Sequence, residues 1–177
     1  MSAIHRCESL LVGLSDLSDG GQNTPLDHLL STVDCDVVVL RAPPGWELSN
    51  VHQILVPIAG RRGHDELRAR LLGSLLRTAA RQVTFLRVLP PDASPHACAK
   101  ARRELDRLAR DEARGHSETH VVQSASVADA ITMEAAGCDL VILGLQRFSR
   151  RHKVFGAMTL NIARGTDCGL IMISRRG

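Results

Sequence analysis

The stretch from residue 138 to residue 174, CDLVILGLQRFSRRHKVFGAMTLNIARGTDCGLIMIS, decides the fold of this chain. It opens with CDLVILGL (138–145), a short and almost continuously apolar run that predicts a strand buried on both faces. After Gly144 come a basic loop, a helix that starts near Gly156, and a second apolar strand, GLIMIS (169–174). A strand, a glycine, a cationic loop and a helix N-terminus, in this order, are typical of α/β proteins that bind phosphate groups.

The same alternation runs through residues 51–137. Three more strands are predicted in HQILVPI (52–58), QVTFLRVL (82–89) and THVVQSA (119–125). Between them lie helices with apolar residues at helical spacing, and the pairs Ser94-Pro95 and Ser126/Asp129 mark two helix starts. Strands that alternate with helices predict right-handed crossovers. We therefore expect an α/β fold with a five-stranded parallel sheet and helices on both faces, complete within residues 51–177.

The first 42 residues repeat the end of this pattern. CESLLVGL (7–14) resembles CDLVILGL, and VDCDVVVLR (33–41) resembles TDCGLIMIS (166–174), with a helix predicted from Thr24-Pro25 between them. We expect residues 1–42 to be the last third, strand-helix-strand, of a preceding copy of the same domain, and residues 43–50 to be a linker. The chain would then be a piece of a longer protein. The alternative is a chance similarity between apolar strands.

Composition excludes several classes of function. Basic and acidic residues nearly balance, 22 against 19, and only four residues are aromatic, too few for a groove that stacks single-stranded nucleic acid. Five cysteines without CxxC spacing predict free, mostly buried thiols, and neither a disulfide framework nor a metal site. No apolar run approaches the ~20 residues of a membrane span, and no signal peptide is visible. The chain is expected to be soluble and cytoplasmic.

These residues resemble the universal stress protein family. The resemblance rests on ILVPIAG (54–60), on the strand that ends at Gly144, and on FGAMTLNIARGTDCGLIMIS (155–174). It implies the adenine-nucleotide α-hydrolase-like fold. Residues 51–89 also resemble the cytoplasmic universal-stress-like modules at the C-termini of some amino-acid permeases and cation–chloride cotransporters. Such tails carry two modules in series, which would account for a partial first copy.

The resemblance implies where a nucleotide would bind. In ATP-binding members an Asp follows the first strand, and a glycine, a second glycine and a Gly-Ser or Gly-Thr pair surround the phosphates. The glycines let backbone N–H groups approach phosphate oxygens. This chain keeps Gly144 and Gly156 but has Ala59 at the Asp position, Arg147 at the second glycine and Ala157 at the hydroxyl position. We therefore expect neither ATP nor AMP as a cofactor.

The basic loop still favours an anionic ligand. Gly60 ends the first strand, and Arg147, Arg150 and Arg151 stand close to the start of the last helix. Positive charge beside the positive end of a helix dipole favours anions. The candidate nucleotide- or anion-binding residues are Ala59, Gly60, Gly144, Arg147, Arg150, Arg151, Gly156 and Ala157. The alternative is a solvated basic loop without a ligand.

No catalytic constellation is present in the sequence, so an enzyme is not expected. Carboxylates such as Asp65, Glu66 and Glu112 lie on Arg-rich helices, where pairing three or four residues apart is their ordinary role. The preferred function is a non-catalytic regulatory or interaction domain, the C-terminal tail of a membrane transporter. The alternative is a soluble tandem universal stress protein that binds ATP, AMP or another anion.

The last strand raises the question of assembly. It is expected at the edge of the sheet, where unpaired backbone invites association. The equivalent strand of the preceding copy is expected to cover it, with Val37 to Leu40 pairing antiparallel to Leu170 to Ile173 as an internal pseudo-dimer. The edge residues are Val37, Val38, Val39, Leu40, Leu170, Ile171, Met172 and Ile173. The first strand, Ser9 to Val12, would then be left exposed, and a homodimer is the further expectation.

Overall fold

A computed structural model describes residues 9–14, 32–33, 35–59, 65–144, 146–149, 152–154 and 156–174. The strands are β1 (Ser9–Leu14), β2 (Asp36–Arg41), β3 (Gln53–Pro57), β4 (Gln82–Leu89), β5 (Ser117–Gln123), β6 (Leu140–Gly144), β7 (Gln146–Ser149), β8 (His152–Val154) and β9 (Gly169–Ser174). The helices are α1 (Asp65–Thr78), α2 (Pro95–Glu112), α3 (Val127–Ala135) and α4 (Ala157–Gly165), with a 3₁₀ turn at Leu48–Asn50. The helix predicted after Thr24-Pro25 falls almost wholly outside the described residues.

The main sheet has seven strands in the order β1-β2-β9-β6-β3-β4-β5. The five strands predicted from residues 51–177 are all present and mutually parallel. The predicted strand number of five is nevertheless wrong, because β1 and β2 join the same sheet. They continue it beyond β9, whose outer edge would otherwise carry unpaired backbone groups.

The junction between β2 and β9 is antiparallel. Val38 pairs with Ile173, Val39 with Met172, and Leu40 with Ile171. The predicted antiparallel contact between these two segments is therefore confirmed. On its other side β2 pairs in parallel with β1, and β1 is the last strand of the sheet. The interpretation of β1 and β2 as the remnant of a second copy stays a prediction.

Two apolar layers cover the sheet, one on each face. The side chains of α3 and α4 pack with alternate strand residues such as Val141 and Leu170. The side chains of α1 and α2 pack on the opposite face, around Phe85 and Ile142. The central strands β6 and β9 are buried on both faces, which explains their continuous apolar sequence. No helix in the described part of the chain is long and apolar enough to cross a membrane.

Two helix starts follow the predicted chemistry. The Ser94 hydroxyl accepts a hydrogen bond from the N–H of Ala97 at 3.2 Å, and Pro95 opens α2. The Ser126 hydroxyl accepts from the N–H of Asp129, also at 3.2 Å. Each hydroxyl satisfies one backbone donor that the first turn of a helix leaves free.

Ion pairs on the helices differ from the expectation. Arg68 of α1 donates two hydrogen bonds to Glu112 of α2, at 2.8 and 2.6 Å, and both side chains are nearly buried. Arg70 lies 3.9 Å from Asp36 of β2. The expected pairing three or four residues apart is therefore incomplete, because the packing of α1 also brings carboxylates of other elements within reach of its arginines.

The predicted basic loop after β6 contains regular structure. β7 and β8 form a separate two-stranded antiparallel ribbon in which Arg147 is opposite Lys153 and Gln146 is opposite Val154. The prediction of a plain loop is wrong at this point. The sequences of these two strands, QRFS and HKV, have no alternation of apolar and polar residues that would have predicted them.

Candidate functional site

The candidate site lies at the edge where the parallel strands end. β3 and β6 are neighbours with Ile54 opposite Leu140 and Leu55 opposite Val141, so both strands run toward the same edge. Ala59 follows β3 by two residues, and Gly144 is the last residue of β6. Both are exposed. The carboxyl ends of parallel strands are where open α/β sheets bind ligands.

Helix α4 begins at this same edge. Its N-cap is Gly156, which is buried and extended, with φ −64° and ψ 155°, and makes no side-chain cap hydrogen bond. Ala157, the first helical residue, is exposed and has no hydroxyl. The first amides of α4 thus lack a side-chain cap, and such amides together with the helix dipole favour an anion.

The structure brings together four of the eight predicted site residues: Ala59, Gly144, Gly156 and Ala157. Arg147 lies on β7, opposite Lys153 on β8, and the ribbon directly connects β6 to α4. Gly60, Arg150 and Arg151 fall outside the described residues. Gly144 and Gly156 thus lie at the edge where the family resemblance would place phosphates, and Ala59 and Ala157 carry methyl groups where it would place a carboxylate and a hydroxyl.

Arg87 lies beside the candidate site and was not predicted from the sequence. It belongs to β4, and its guanidinium donates a hydrogen bond to the carbonyl oxygen of Ile58 at 2.9 Å. Ile58 in turn donates its N–H to Leu86 at 2.8 Å, so the segment leading to Ala59 is fixed to β4. The signal in the sequence was one charged residue inside the strand QVTFLRVL. Arg87 adds a half-buried cation next to the predicted site.

The opposite edge of the sheet, where the strands begin, holds a cavity of about 480 Å³. Trp46, Cys138, Asp139 and Cys168 are among the residues that line it. The carboxylate of Asp139 accepts hydrogen bonds from the N–H groups of His52 and Gln53, both at 2.8 Å. Its carbonyl oxygen accepts from the indole N–H of Trp46 at 2.9 Å. The segment predicted as a linker is thus attached to the sheet.

Two thiols face this cavity and are poor nucleophiles. Burial is the main cause that raises the pKa of Cys138 from 9.0 to about 11, and the neighbouring Cys168 adds to it. Burial also raises the pKa of Cys168. A thiol rather than a thiolate is present at neutral pH, which makes nucleophilic chemistry unfavourable here. All four described cysteines, Cys35, Cys98, Cys138 and Cys168, are free thiols, and Cys7 lies outside the described residues.

Metal chemistry has no support in the described ranges, where no group of three His, Cys, Asp or Glu side chains is arranged to hold an ion. His120 instead lies 3.0 Å from the Glu134 carboxylate, on an exposed surface.

Several solved structures that match this chain are universal stress proteins. The universal stress protein of Archaeoglobus fulgidus matches with a TM-score of 0.57 at 16% identity, over 70% of this chain and 98% of its own. Its structure in complex with dAMP matches with a TM-score of 0.54 at 15% identity, over 70% and 98%. The chain therefore has the universal stress protein fold.

A longer structure matches more of this chain. The cytoplasmic domain of a prokaryotic cation chloride cotransporter aligns with a TM-score of 0.66 at 14% identity. The match covers 98% of this chain and 66% of that domain. No protein-family model and no curated protein matches the sequence.

Proposed function

We propose that this chain is a non-catalytic regulatory or interaction domain that acts in the cytoplasm as the C-terminal tail of a membrane transporter. The observation that carries the proposal is the extent of the structural match. One universal stress protein of Archaeoglobus fulgidus matches 70% of the chain, whereas the cotransporter domain matches 98%, a share that includes both β1 and β2. A longer universal stress protein of Archaeoglobus fulgidus also matches 96%. The extent of the match therefore supports a protein with two universal-stress-like parts, and the transporter assignment rests on the likeness to the cotransporter domain. A protein with two universal-stress-like parts accounts for the antiparallel junction between β2 and β9.

The chemistry at the strand ends supports a role without catalysis. Ala59, Gly144 and Ala157 provide neither an acid, a base nor a nucleophile at the edge where such groups would act. Hydrogen bonds to a charged group contribute about 1.5–3 kcal/mol each, so the missing carboxylate and hydroxyl weaken any nucleotide site considerably. We therefore propose that no nucleotide is required and that nucleic acid is not a partner.

Reading the genomic sequence upstream of the segment tests the transporter assignment. Ten or more apolar segments of about 20 residues in the same reading frame are expected. A reading frame that encodes no such segment would contradict the proposal. The membrane part of the same protein is then the expected partner, together with a homodimer or the internal pseudo-dimer.

A second candidate function is that of a tandem universal stress protein that binds ATP, AMP or another anion. It is favoured by the uncapped amides of α4 beside Gly144, and by the dAMP complex of a protein with this fold. Calorimetric titration of the chain with ATP and AMP up to about 1 mM separates the two candidates, since a dissociation constant of 1 mM corresponds to about −4 kcal/mol. Binding that Gly144→Val abolishes supports the second candidate, and absence of heat supports the first.

Anions other than nucleotides need a separate screen. A thermal-shift series with inorganic phosphate and cyclic dinucleotides is suitable, because a ligand at 100 times its dissociation constant stabilises the folded state by about 2.7 kcal/mol. Arg87→Met should reduce any shift that arises at the strand ends. Arg110→Met, a change of an exposed arginine near the end of α2, is the matched control.

A further inference from the structure

On one face of the first two strands, apolar side chains are left partly or largely exposed by the residues that the structure describes. Leu10, Val12 and Leu14 of β1 pack into the layer of α3 and α4, so Ser9, Leu11 and Gly13 point to the side of α1. Leu11 is 71% exposed, and a Cβ placed on Gly13 would meet nothing within 4 Å. Exposure of so large an aliphatic side chain beside other apolar groups marks an interaction surface.

The neighbouring strand extends this surface toward α1. Leu11 is paired with Val38 and Gly13 with Leu40, so these four residues share a face of the sheet. A groove of about 420 Å³ follows, bounded by Val38 and by α1. The residues that α1 contributes to its wall are Leu67, Arg70, Leu71, Ser74 and Arg77. We call the surface over β1 and β2 that runs from Leu11 to this groove the slot. Its floor is apolar, and its wall, formed by α1, carries two exposed arginines.

The symmetry of the sheet shows what shape would fill the slot. An antiparallel pair of strands has a local two-fold axis between them, here between β2 and β9. That axis maps β9 onto β2 and β6 onto β1, because both pairs are parallel and adjacent. It also maps β3 onto the free edge of β1, and α1 onto the slot over β1 and β2. In the described part of the chain neither position is occupied by a strand or a helix.

The charge of the slot defines the occupant further. An exact copy of α1 would lie antiparallel to α1 and would bring its own arginines toward Arg70 and Arg77. Like charges at such a contact are repulsive, whereas carboxylates would be attracted. Asp36 lies 3.9 Å from Arg70 and shows that this wall accepts a carboxylate. The matching helix therefore carries Asp or Glu where α1 carries arginine.

We propose that this slot binds a strand–helix unit of another polypeptide segment. Its apolar strand adds in parallel to the free edge of β1, and its amphipathic helix packs over Leu11 and Val38 beside α1, with acidic residues facing Arg70 and Arg77. This surface lies away from the carboxyl ends of the strands, so the inference does not depend on a nucleotide. It deepens the proposed function, because the second universal-stress-like part proposed there would supply such a strand–helix unit. Peptide binding is measured on this chain alone, so it can fail whether or not the upstream reading frame encodes a transporter.

A labelled peptide tests the proposal on the full chain. The probe is a fluorescent peptide with the sequence of residues 51–80, which spans β3 and α1, carrying the changes Arg70→Glu and Arg77→Glu. Fluorescence anisotropy should show saturable binding, and the same peptide with both arginines retained should bind at least about tenfold more weakly, a difference of about 1.4 kcal/mol. A scrambled peptide is the control for non-specific adsorption.

Variants of the protein locate the binding. Leu11→Glu should abolish binding of the acidic peptide, whereas Met133→Glu should leave it unchanged, since Met133 is 78% exposed on α3 at the opposite face. Circular dichroism verifies that both variants fold. Reversing the charge of the protein with Arg70→Glu and Arg77→Glu should invert the preference between the two peptides.

Three results would overturn the proposal. They are absence of saturable binding, equal binding of the acidic and basic peptides, and binding that survives Leu11→Glu. Sedimentation equilibrium provides a fourth. A dimer that Leu11→Glu dissociates and that the peptide does not displace would make the occupant a second copy of this chain.

Discussion

The two edges of the central sheet differ in how many polar side chains hold the backbone in place. At the edge where β3, β6 and β9 begin, polar side chains are bonded to backbone. Asp139 holds two N–H groups, Trp46 binds a carbonyl oxygen, and Arg41 donates to three carbonyl oxygens around the end of α4. At the edge where those strands end, Arg87 donates to the carbonyl oxygen of Ile58, but the candidate site residues Ala59 and Ala157 carry only methyl groups. The edge where these strands begin (the beginning edge) is fixed by side-chain hydrogen bonds, whereas the candidate site residues described at the edge where they end (the finishing edge) are two glycines and two alanines.

The difference between the two edges arises from which backbone groups the polar side chains bond. Buried or half-buried backbone groups need partners, and a charged side chain that bonds several of them stabilises the fold directly. A ligand-binding edge instead leaves amides available, as at the start of α4. Substitutions at the two edges should therefore have very different effects on the free energy of unfolding.

The largest effect is expected from Asp139→Ala. The change leaves the N–H groups of His52 and Gln53 without their acceptor at the start of β3. Two charge-assisted hydrogen bonds are lost, and we expect the free energy of unfolding to fall by about 2–4 kcal/mol in urea denaturation. Asp139→Asn keeps an acceptor oxygen and should cost clearly less. Equal losses for the two variants would show that the carboxylate does not fix this edge.

Arg41→Met is expected to cost about 2 kcal/mol. The guanidinium donates at 2.8 Å to the carbonyl oxygens of Ala163 and Cys168, and at 3.2 Å to that of Thr166. These groups end α4 and begin β9, so Arg41 links the first part of the chain to the second. Thermal unfolding of Arg70→Met is the control, because Arg70 is exposed and makes only a 3.9 Å ion pair. A similar loss in both variants would contradict the assigned role of Arg41.

Gly169→Ala should cost about 1–3 kcal/mol, the usual range for overpacking. A Cβ at Gly169 would lie 2.5 Å from Cε2 of Trp46, and the indole must move to admit it. Gly137→Ala adds a methyl group in open space and is the matched control. Unfolding followed by the fluorescence of Trp46, the single tryptophan, also reports whether the ring has moved. Unchanged fluorescence and stability in Gly169→Ala would disprove the close contact.

The sequence predicted one edge of this comparison much better than the other. The strands, their parallel pairing and the positions of Gly144 and Gly156 follow from apolar runs and glycines that are local in the chain. The roles of Arg41 and Asp139 do not, because Arg41 contacts carbonyl groups 122 to 127 residues away and Asp139 contacts His52 at a separation of 87. Before folding, an arginine after one strand and an aspartate before another are indistinguishable from ordinary surface residues.

The site itself was predictable only as a framework. Glycines and a helix start locate the carboxyl edge, but the contact of Arg87 with Ile58 depends on the pairing of β3 with β4. The β7–β8 ribbon was missed for a related reason. Its strands are four and three residues long and are held by pairing with each other, and so short a ribbon has no detectable hydrophobic period.

A smaller effect at the beginning edge depends on pH. Cys138 has a pKa raised from 9.0 to about 11 by burial and by Cys168, so the folded state retains the proton that the unfolded state loses. Its contribution is complete below pH 9 and is lost as the pH rises toward 11, which makes the protein less stable in that window. Urea titrations at several pH values should show the decline, and Cys138→Ser should make it shallower. A decline of the same slope in the variant would assign it to other groups.

The smallest effect is expected at the finishing edge, from Ala59→Asp. Ala59 is exposed and follows β3 by two residues, so a new carboxylate there stays solvated and displaces no packed group. Surface substitutions of this kind change the free energy of unfolding by no more than about 0.5 kcal/mol. Ala59→Asp is the reverse of the exchange in Asp139→Ala, and it is made at the opposite edge of the same sheet. If urea denaturation shows a loss that approaches that of Asp139→Ala, the finishing edge is packed as tightly as the beginning edge, and the contrast between them is wrong.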